Sequence, residues 1–121
     1  MDKMTLLPAD VLRQLYKNGE INAAHIARDG NTEDFKPVVK FFYPAGAATW
    51  LITEMDEDGD TMFGLCDLGH GFPEIGRVSF SELYNFRGRL GLGIERDRHF
   101  TATKTLTEYA NEAREKGRIV A

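Results

Sequence analysis

The first third of the chain carries one segment with the hydrophobic period of a helix. Over residues 8–18 the apolar positions fall on one helical face: Val11, Leu12, Leu15 and Tyr16. Asn18-Gly19 predicts the end of this helix, because glycine accepts the left-handed conformation common just past a helix. Residues 20–36 fit either a second short helix or a packed loop. The pattern therefore predicts an N-terminal helix that docks one face on a core.

The middle of the chain changes to short runs of β-branched and aromatic residues. Four such runs predict four strands, over residues 38–43, 48–55, 61–68 and 75–80. The connections are short and rich in glycine, proline and aspartate, which favours antiparallel neighbours, since parallel crossovers need a dozen or more residues. Within the second run, alternation places Trp50 and Ile52 on one face and Leu51 on the other.

Two capping signals predict the remaining helices. Ser79 and Glu82 have the spacing of a capping box and begin a short middle helix. Thr105 and Glu108 repeat that spacing at the start of a helix over about residues 103–116, and the tail beyond it is expected to fray. The predicted fold is α+β: a four-stranded, mainly antiparallel sheet with an N-terminal, a short middle and a C-terminal helix. A short edge strand over residues 94–97 is left open.

Length and charge restrict the class of protein. A chain of 121 residues suits one domain, predicted over residues 1–121. The formal net charge of −4, from 15 basic and 19 acidic residues, gives no overall electrostatic footprint for nucleic acid. Cys66 is the single cysteine, so no internal disulfide forms, and its apolar surroundings favour a buried thiol. No secretory signal and no apolar run of 18 residues is present, so a cytoplasmic protein without a membrane segment is expected.

An acidic segment between the second and third predicted strands is the first candidate site. Its partner-binding candidates are Asp56, Glu57, Asp58 and Asp60. Calcium loops need glycine at their sixth position and glutamate at their twelfth, where this chain has Thr61 and Asp67. The segment is therefore interpreted as a hairpin turn around Asp58-Gly59 that presents charge to a basic partner. Neither a metal nor a cofactor is predicted.

A mixed, mainly basic segment is the second candidate site. Its partner-binding candidates are Arg87, Arg89, Glu95, Arg96, Asp97, Arg98 and His99. On a strand, Glu95, Asp97 and His99 would share one face and could supply acid, base and electrostatic roles. The alternative is an edge strand whose charges prevent aggregation. The glycine-rich stretch 88–93 follows a helix rather than preceding one, so it does not fit a phosphate loop.

Five motifs in series resemble the domain-of-unknown-function 2958 family over about residues 36–108: Val39-Lys40-Phe41-Phe42, Thr49-Trp50-Leu51-Ile52-Thr53-Glu54, Phe63-Gly64-Leu65-Cys66-Asp67-Leu68-Gly69, Glu74-Ile75-Gly76-Arg77-Val78-Ser79 and Gly91-Leu92-Gly93-Ile94-Glu95-Arg96-Asp97-Arg98-His99-Phe100. The resemblance implies no catalytic residues. It implies a setting: accessory proteins of bacterial plasmids, phages and integrative elements, often near anti-restriction genes.

These observations lead to one main hypothesis and two alternatives. The main hypothesis is a non-enzymatic, protein-binding accessory protein of a mobile genetic element. It would act as a host-defence antagonist, such as an anti-CRISPR or anti-restriction inhibitor, by occluding a host defence complex. The first alternative is a small enzyme using Glu95, Asp97 and His99. The second is a nucleic-acid-binding module using Arg87, Arg89, Arg96 and Arg98. The oligomeric state is left open.

Overall fold

Helices flank a single sheet in the computed structural model, which describes residues 2–121; Met1, the first residue of the predicted domain, lies outside them. The helices are α1 (Lys3–Leu6), α2 (Ala9–Arg28), α3 (Phe80–Asn85) and α4 (Leu106–Lys116). The strands are β1 (Val39–Phe42), β2 (Thr49–Met55), β3 (Thr61–Asp67), β4 (Glu74–Ser79) and β5 (Glu95–Arg96). A 3₁₀ turn spans Arg89–Gly91. None of the described helices is both long and apolar enough to cross a membrane.

The sheet has five antiparallel strands in the order β4-β3-β2-β1-β5. The α+β class and the meander of β1 to β4 are confirmed, but the prediction of four strands is wrong. The fifth strand pairs only Phe41 with Arg96 and Phe42 with Glu95. A strand of two residues is too short to show alternation in the sequence. It is fixed instead by tertiary contacts, namely the burial of Ile94 and a 3.0 Å hydrogen bond from Asp97 N to Lys40 O.

The sheet is buried on both faces, and β2 lies at its centre. On one face Trp50 and Ile52 join the cluster that packs against α1 and α2. On the other face Leu51 and Leu65 pack against α4. This confirms the predicted alternation along β2 and explains why so few of its residues are polar.

The N-terminal helix is longer than predicted, because α2 continues past Gly19 to Arg28. A Cβ atom on Gly19 would lie 2.2 Å from the carbonyl oxygen of Met55, so glycine is needed there for close packing of the helix on β2. Asn18, also buried, donates from Nδ2 to Thr53 O at 2.9 Å. The Asn-Gly pair thus marks a helix–sheet contact rather than a helix end.

The C-terminal helix is capped and ends as predicted, but it begins at Leu106 rather than at about residue 103, and the tail does not fray. Thr105 and Glu108 form a complete capping box, and Gly117 adopts φ 76° at the other end. Beyond it Ile119 is buried, and its N–H donates to Asp67 Oδ2 at 3.0 Å. The tail therefore closes over the α4 face of the sheet.

Candidate functional site

A groove separates α2 from the turn between β2 and β3. Its volume is about 570 Å³. Five carboxylates line it: Glu20, Glu54, Asp56, Glu57 and Asp58. Its other lining residues include Tyr16, Ala23, Ile26, Met55 and Arg77. These ten residues are called the acidic groove below.

Glu54 stands at the inner wall of the acidic groove. It is half-buried and accepts a hydrogen bond of 2.8 Å from Asn22 Nδ2. Burial raises the pKa of Glu54 above its ordinary value, and the neighbouring Asp56 carboxylate raises it further, although the Asn22 hydrogen bond acts in the opposite direction. Glu54 is therefore held by the fold and is a poor contact for an incoming partner.

Asp58 organises the turn itself. Its Oδ1 accepts hydrogen bonds from Asp60 N and Thr61 N, both at 2.8 Å, and its Oδ2 accepts one of 2.7 Å from Thr61 Oγ1. These bonds lower the pKa of Asp58, because they stabilise the ionised form. Gly59 follows with φ 75°, which confirms the predicted turn at Asp58-Gly59.

Asp60 has a structural role rather than a place in the groove. Its carboxylate accepts hydrogen bonds of 2.7 Å from Ser79 Oγ and from Ser81 N. These bonds lower the pKa of Asp60 and tie the turn to the start of α3. Ser79 also caps α3, as the sequence predicted, because its Oγ accepts a hydrogen bond of 3.2 Å from Glu82 N.

The remaining carboxylates differ in how far they are neutralised. Asp56 forms an exposed ion pair of 2.9 Å with Arg77. Among the described residues, neither Glu20 nor Glu57 has an ion-pair or hydrogen-bond partner for its carboxylate. These two side chains are exposed and free to meet a cation from outside.

The four arginines of the basic segment do not act as one patch. Arg87 folds back, donating from Nη1 to Tyr84 O at 2.9 Å and to Phe86 O at 2.7 Å. Arg96 Nε donates to Thr5 O at 3.1 Å. Arg89 and Arg98 are exposed. Only two guanidinium groups therefore remain free for a phosphate or carboxylate.

The turn between β2 and β3, residues 56–60, is called the acidic turn below, and it lies at the opposite end of the sheet from Arg89. Arg89 N donates to Tyr43 Oη at 2.9 Å, which places it beside the β1–β2 turn. Antiparallel pairing puts that turn at the end of β2 remote from Met55, where the acidic turn begins. The two candidate surfaces are thus separate.

Glu95, Asp97 and His99 do not converge. Because β5 ends at Arg96, the alternation expected of a longer strand does not apply. Asp97 instead accepts a hydrogen bond of 2.9 Å from His99 N and forms an ion pair of 3.5 Å with Lys40. Asp97 and His99 line a groove of about 420 Å³ beside α4, and Glu95 lies outside it.

The family model described as "Protein of unknown function (DUF2958)" matches residues 6–120. The chain belongs to this family. The match confirms the resemblance and extends it beyond the expected 36–108 to include α2 and α4. No curated protein and no solved structure matches the chain.

This DUF2958 protein has an apolar end that the sequence reasoning missed. Five large side chains there are exposed: Leu68, Phe72, Phe86, Leu90 and Leu92. Two of them, Leu68 and Phe86, line a third groove, of about 430 Å³, whose other walls include Tyr43, Ala48, Trp50, Leu83 and Ile94. These ten residues are called the apolar end. The signal in the sequence is large apolar residues set between glycines, as in Gly88-Arg89-Leu90-Gly91-Leu92-Gly93, where no regular element is available to bury them.

Within residues 2–121 no three histidine, cysteine, aspartate or glutamate side chains are placed to hold a metal ion. Burial raises the pKa of Cys66 to about 11, with a further contribution from Glu74. A thiol with that pKa is almost wholly protonated near neutral pH and is a weak nucleophile.

Proposed function

We propose that this protein is a non-enzymatic binding protein that covers a basic surface of a partner protein with its acidic groove. The partner we propose is a host defence complex, of the kind that anti-CRISPR or anti-restriction proteins inhibit. This setting follows from the resemblance to accessory proteins of mobile genetic elements. Complexes that bind nucleic acid display basic surfaces, and an acidic concave face is complementary to them.

The observation that carries the proposal is the pair of unneutralised carboxylates, Glu20 and Glu57, beside an exposed apolar side chain. Ile26 is 58% exposed and lines the same groove. Lysine and arginine combine an apolar stem with a charged head, so one such side chain can cover Ile26 and reach a carboxylate. Concavity, charge and apolar surface together favour protein binding over a bare electrostatic contact.

Variants that test the proposal must replace carboxylates that make no hydrogen bond or ion pair within the chain. Asp58 and Asp60 stabilise the turn and the start of α3, so a loss of binding after their replacement could result from a loss of folding. Glu57→Lys and Glu20→Lys reverse charge at exposed positions that hold nothing else. Glu115→Lys is the matched control, because it makes the same charge change on an exposed position of α4, across the sheet.

The experiment is affinity capture from a bacterial host lysate, followed by binding measurements with the purified partner. We expect wild type and Glu115→Lys to retain a nucleic-acid-binding protein that Glu57→Lys loses. In calorimetry each groove variant should weaken the complex by about 10-fold or more, corresponding to about 1.4 kcal/mol. Equal capture by all the variants, or a partner that binds with equal affinity to Glu57→Lys, would contradict the proposal.

A further inference from the structure

Leu90 combines an unusual backbone conformation with almost complete exposure. Its φ of 58° and ψ of 20° lie in the left-handed region, and no other non-glycine residue among 2–121 has a positive φ. Leucine is disfavoured there, because its Cβ approaches the following carbonyl oxygen. The side chain is 94% exposed, so packing within the chain does not compensate for the strain. Strain kept at an exposed apolar residue points to a binding role.

The loop that carries Leu90 is braced. Gly88 N donates to Leu92 O at 2.8 Å, and Leu92 N donates to Arg89 O at 3.1 Å. Tyr43 anchors the loop through the hydrogen bond from Arg89 N and through an edge contact with Phe86, with ring centroids 5.3 Å apart. Leu90 is thus a preorganised apolar projection, which lowers the entropy lost on binding.

An apolar groove lies next to this projection. Tyr43 and Phe86, which brace the loop, also line the groove of about 430 Å³. Its volume is ample for a leucine side chain. Leu68, at 60% exposure, also lines this groove, and Phe72, at 79% exposure, lies in the loop that follows Leu68. A patch of this kind on a small protein marks an interaction site.

We propose that a second copy of this chain occupies the groove, in a two-fold dimer where Leu90 of each copy enters the groove of the other. A two-fold contact requires one surface to carry both complementary features, and the apolar end carries projection and groove together. Charge favours the same pairing. Arg89 adjoins Leu90, and Glu82 lines the groove, so a two-fold axis brings each arginine toward the other copy's glutamate.

The primary test is sedimentation of the whole chain over a concentration series. A small interface predicts weak association, so the series should run from about 1 to 500 µM. Wild type should move from 13.6 kDa toward twice that mass. Leu90→Gly should raise the dissociation constant by about 100-fold, because two leucine side chains leave the interface. Met4→Ala, which removes an exposed side chain near the acidic turn, should dimerise as wild type does.

Leu90→Gly also distinguishes a loss of dimerisation from a loss of stability of the folded monomer. Glycine adopts the left-handed conformation without strain, so at a concentration where both proteins are monomeric its melting temperature should equal or exceed that of wild type. A monomeric wild type throughout the series would overturn the proposal and leave the apolar end to another partner. Unchanged dimerisation of Leu90→Gly would overturn it as well.

A charge exchange tests the geometry. Arg89→Glu and Glu82→Arg should each weaken the dimer, because each places like charges across the two-fold axis. The double variant restores opposite charges and should recover most of the wild-type association. A double variant as weak as the single ones would overturn the proposed pairing.

Discussion

Replacing Gly19 with alanine tests how closely α2 approaches the sheet. Helix propensity alone predicts a gain of about 1 kcal/mol, because glycine is a poor residue inside a helix. The structure predicts the opposite sign. A Cβ atom at this position would lie 2.2 Å from Met55 O and 3.2 Å from Met55 C, and the obstacle is backbone that cannot rotate away.

The size of the effect follows from the movement that the methyl group requires. Restoring an ordinary carbon–oxygen contact moves α2 outward by roughly 1 Å. The 2.9 Å bond from Asn18 Nδ2 to Thr53 O then exceeds hydrogen-bonding distance. A buried amide without a partner costs about 1–3 kcal/mol, and the disturbed packing costs a similar amount. After subtraction of the propensity gain, Gly19→Ala should lower the free energy of unfolding by about 3 kcal/mol.

Urea denaturation followed by the fluorescence of buried Trp50 measures this loss. With an m-value of about 2 kcal/mol/M the midpoint should fall by about 1.5 M. Gly76→Ala is the control, because a Cβ atom there meets nothing within 4 Å, and its effect should stay within about 0.5 kcal/mol. A midpoint for Gly19→Ala at or above that of wild type would show that α2 does not lie so close to β2.

Three further predictions concern single side chains. Because the pKa of Cys66 rises from 9.0 to about 11, its reaction with a disulfide reagent at mildly alkaline pH should be about 100-fold slower in the native protein than in urea, and equal rates would refute the burial. The lowered pKa of Asp60 means that its stabilising effect is complete above the ordinary value of 3.8 and is lost as pH falls through the lower native value. Melting temperatures of Asp60→Asn should therefore depend less on pH below about 4 than those of wild type, whereas identical slopes would exclude this role. Ile119→Ala should cost about 2 kcal/mol in urea denaturation, and Val120→Ala, at a more exposed position, should cost far less; equal losses would mean that the tail is not docked.

Local signals in the sequence are sufficient for much of the fold. The strands β1 to β4 and the capping of α3 and α4 were predictable, because alternation and caps involve neighbouring residues. The errors in α2, in β5 and in the C-terminal tail have a different origin, because each depends on contacts between residues distant in the sequence. Gly19 has the local character of a helix end, and only its contact with Met55 explains why the helix continues. Residues 95–96 form a strand only because β1 offers them an unpaired edge.

The candidate site was predictable only in composition. The sequence marks the carboxylates between β2 and β3 but not which of them are free, since that depends on the hydrogen bonds of Asp58 and Asp60. The sequence does not predict Glu20 and Ile26 as groove residues, because residues 20–36 fit either a helix or a loop when only the sequence is considered. The same limit applies to Leu90, whose exposure follows from how the loop folds rather than from its type.

The acidic groove and the apolar end lie at opposite ends of β2, about 20 Å apart for seven residues of strand. They share no residue, so variants at one surface should leave the other unchanged. A dimer joined through the apolar end therefore carries two acidic grooves and can bind a repetitive partner at two points, with affinity gained only when the partner's spacing matches. Leu90→Gly should then reduce the apparent affinity for a partner with repeated basic surfaces and leave the affinity for one isolated surface unchanged. Glu57→Lys should reduce both, so comparing the two variants on immobilised and on soluble partner separates dimerisation from groove binding.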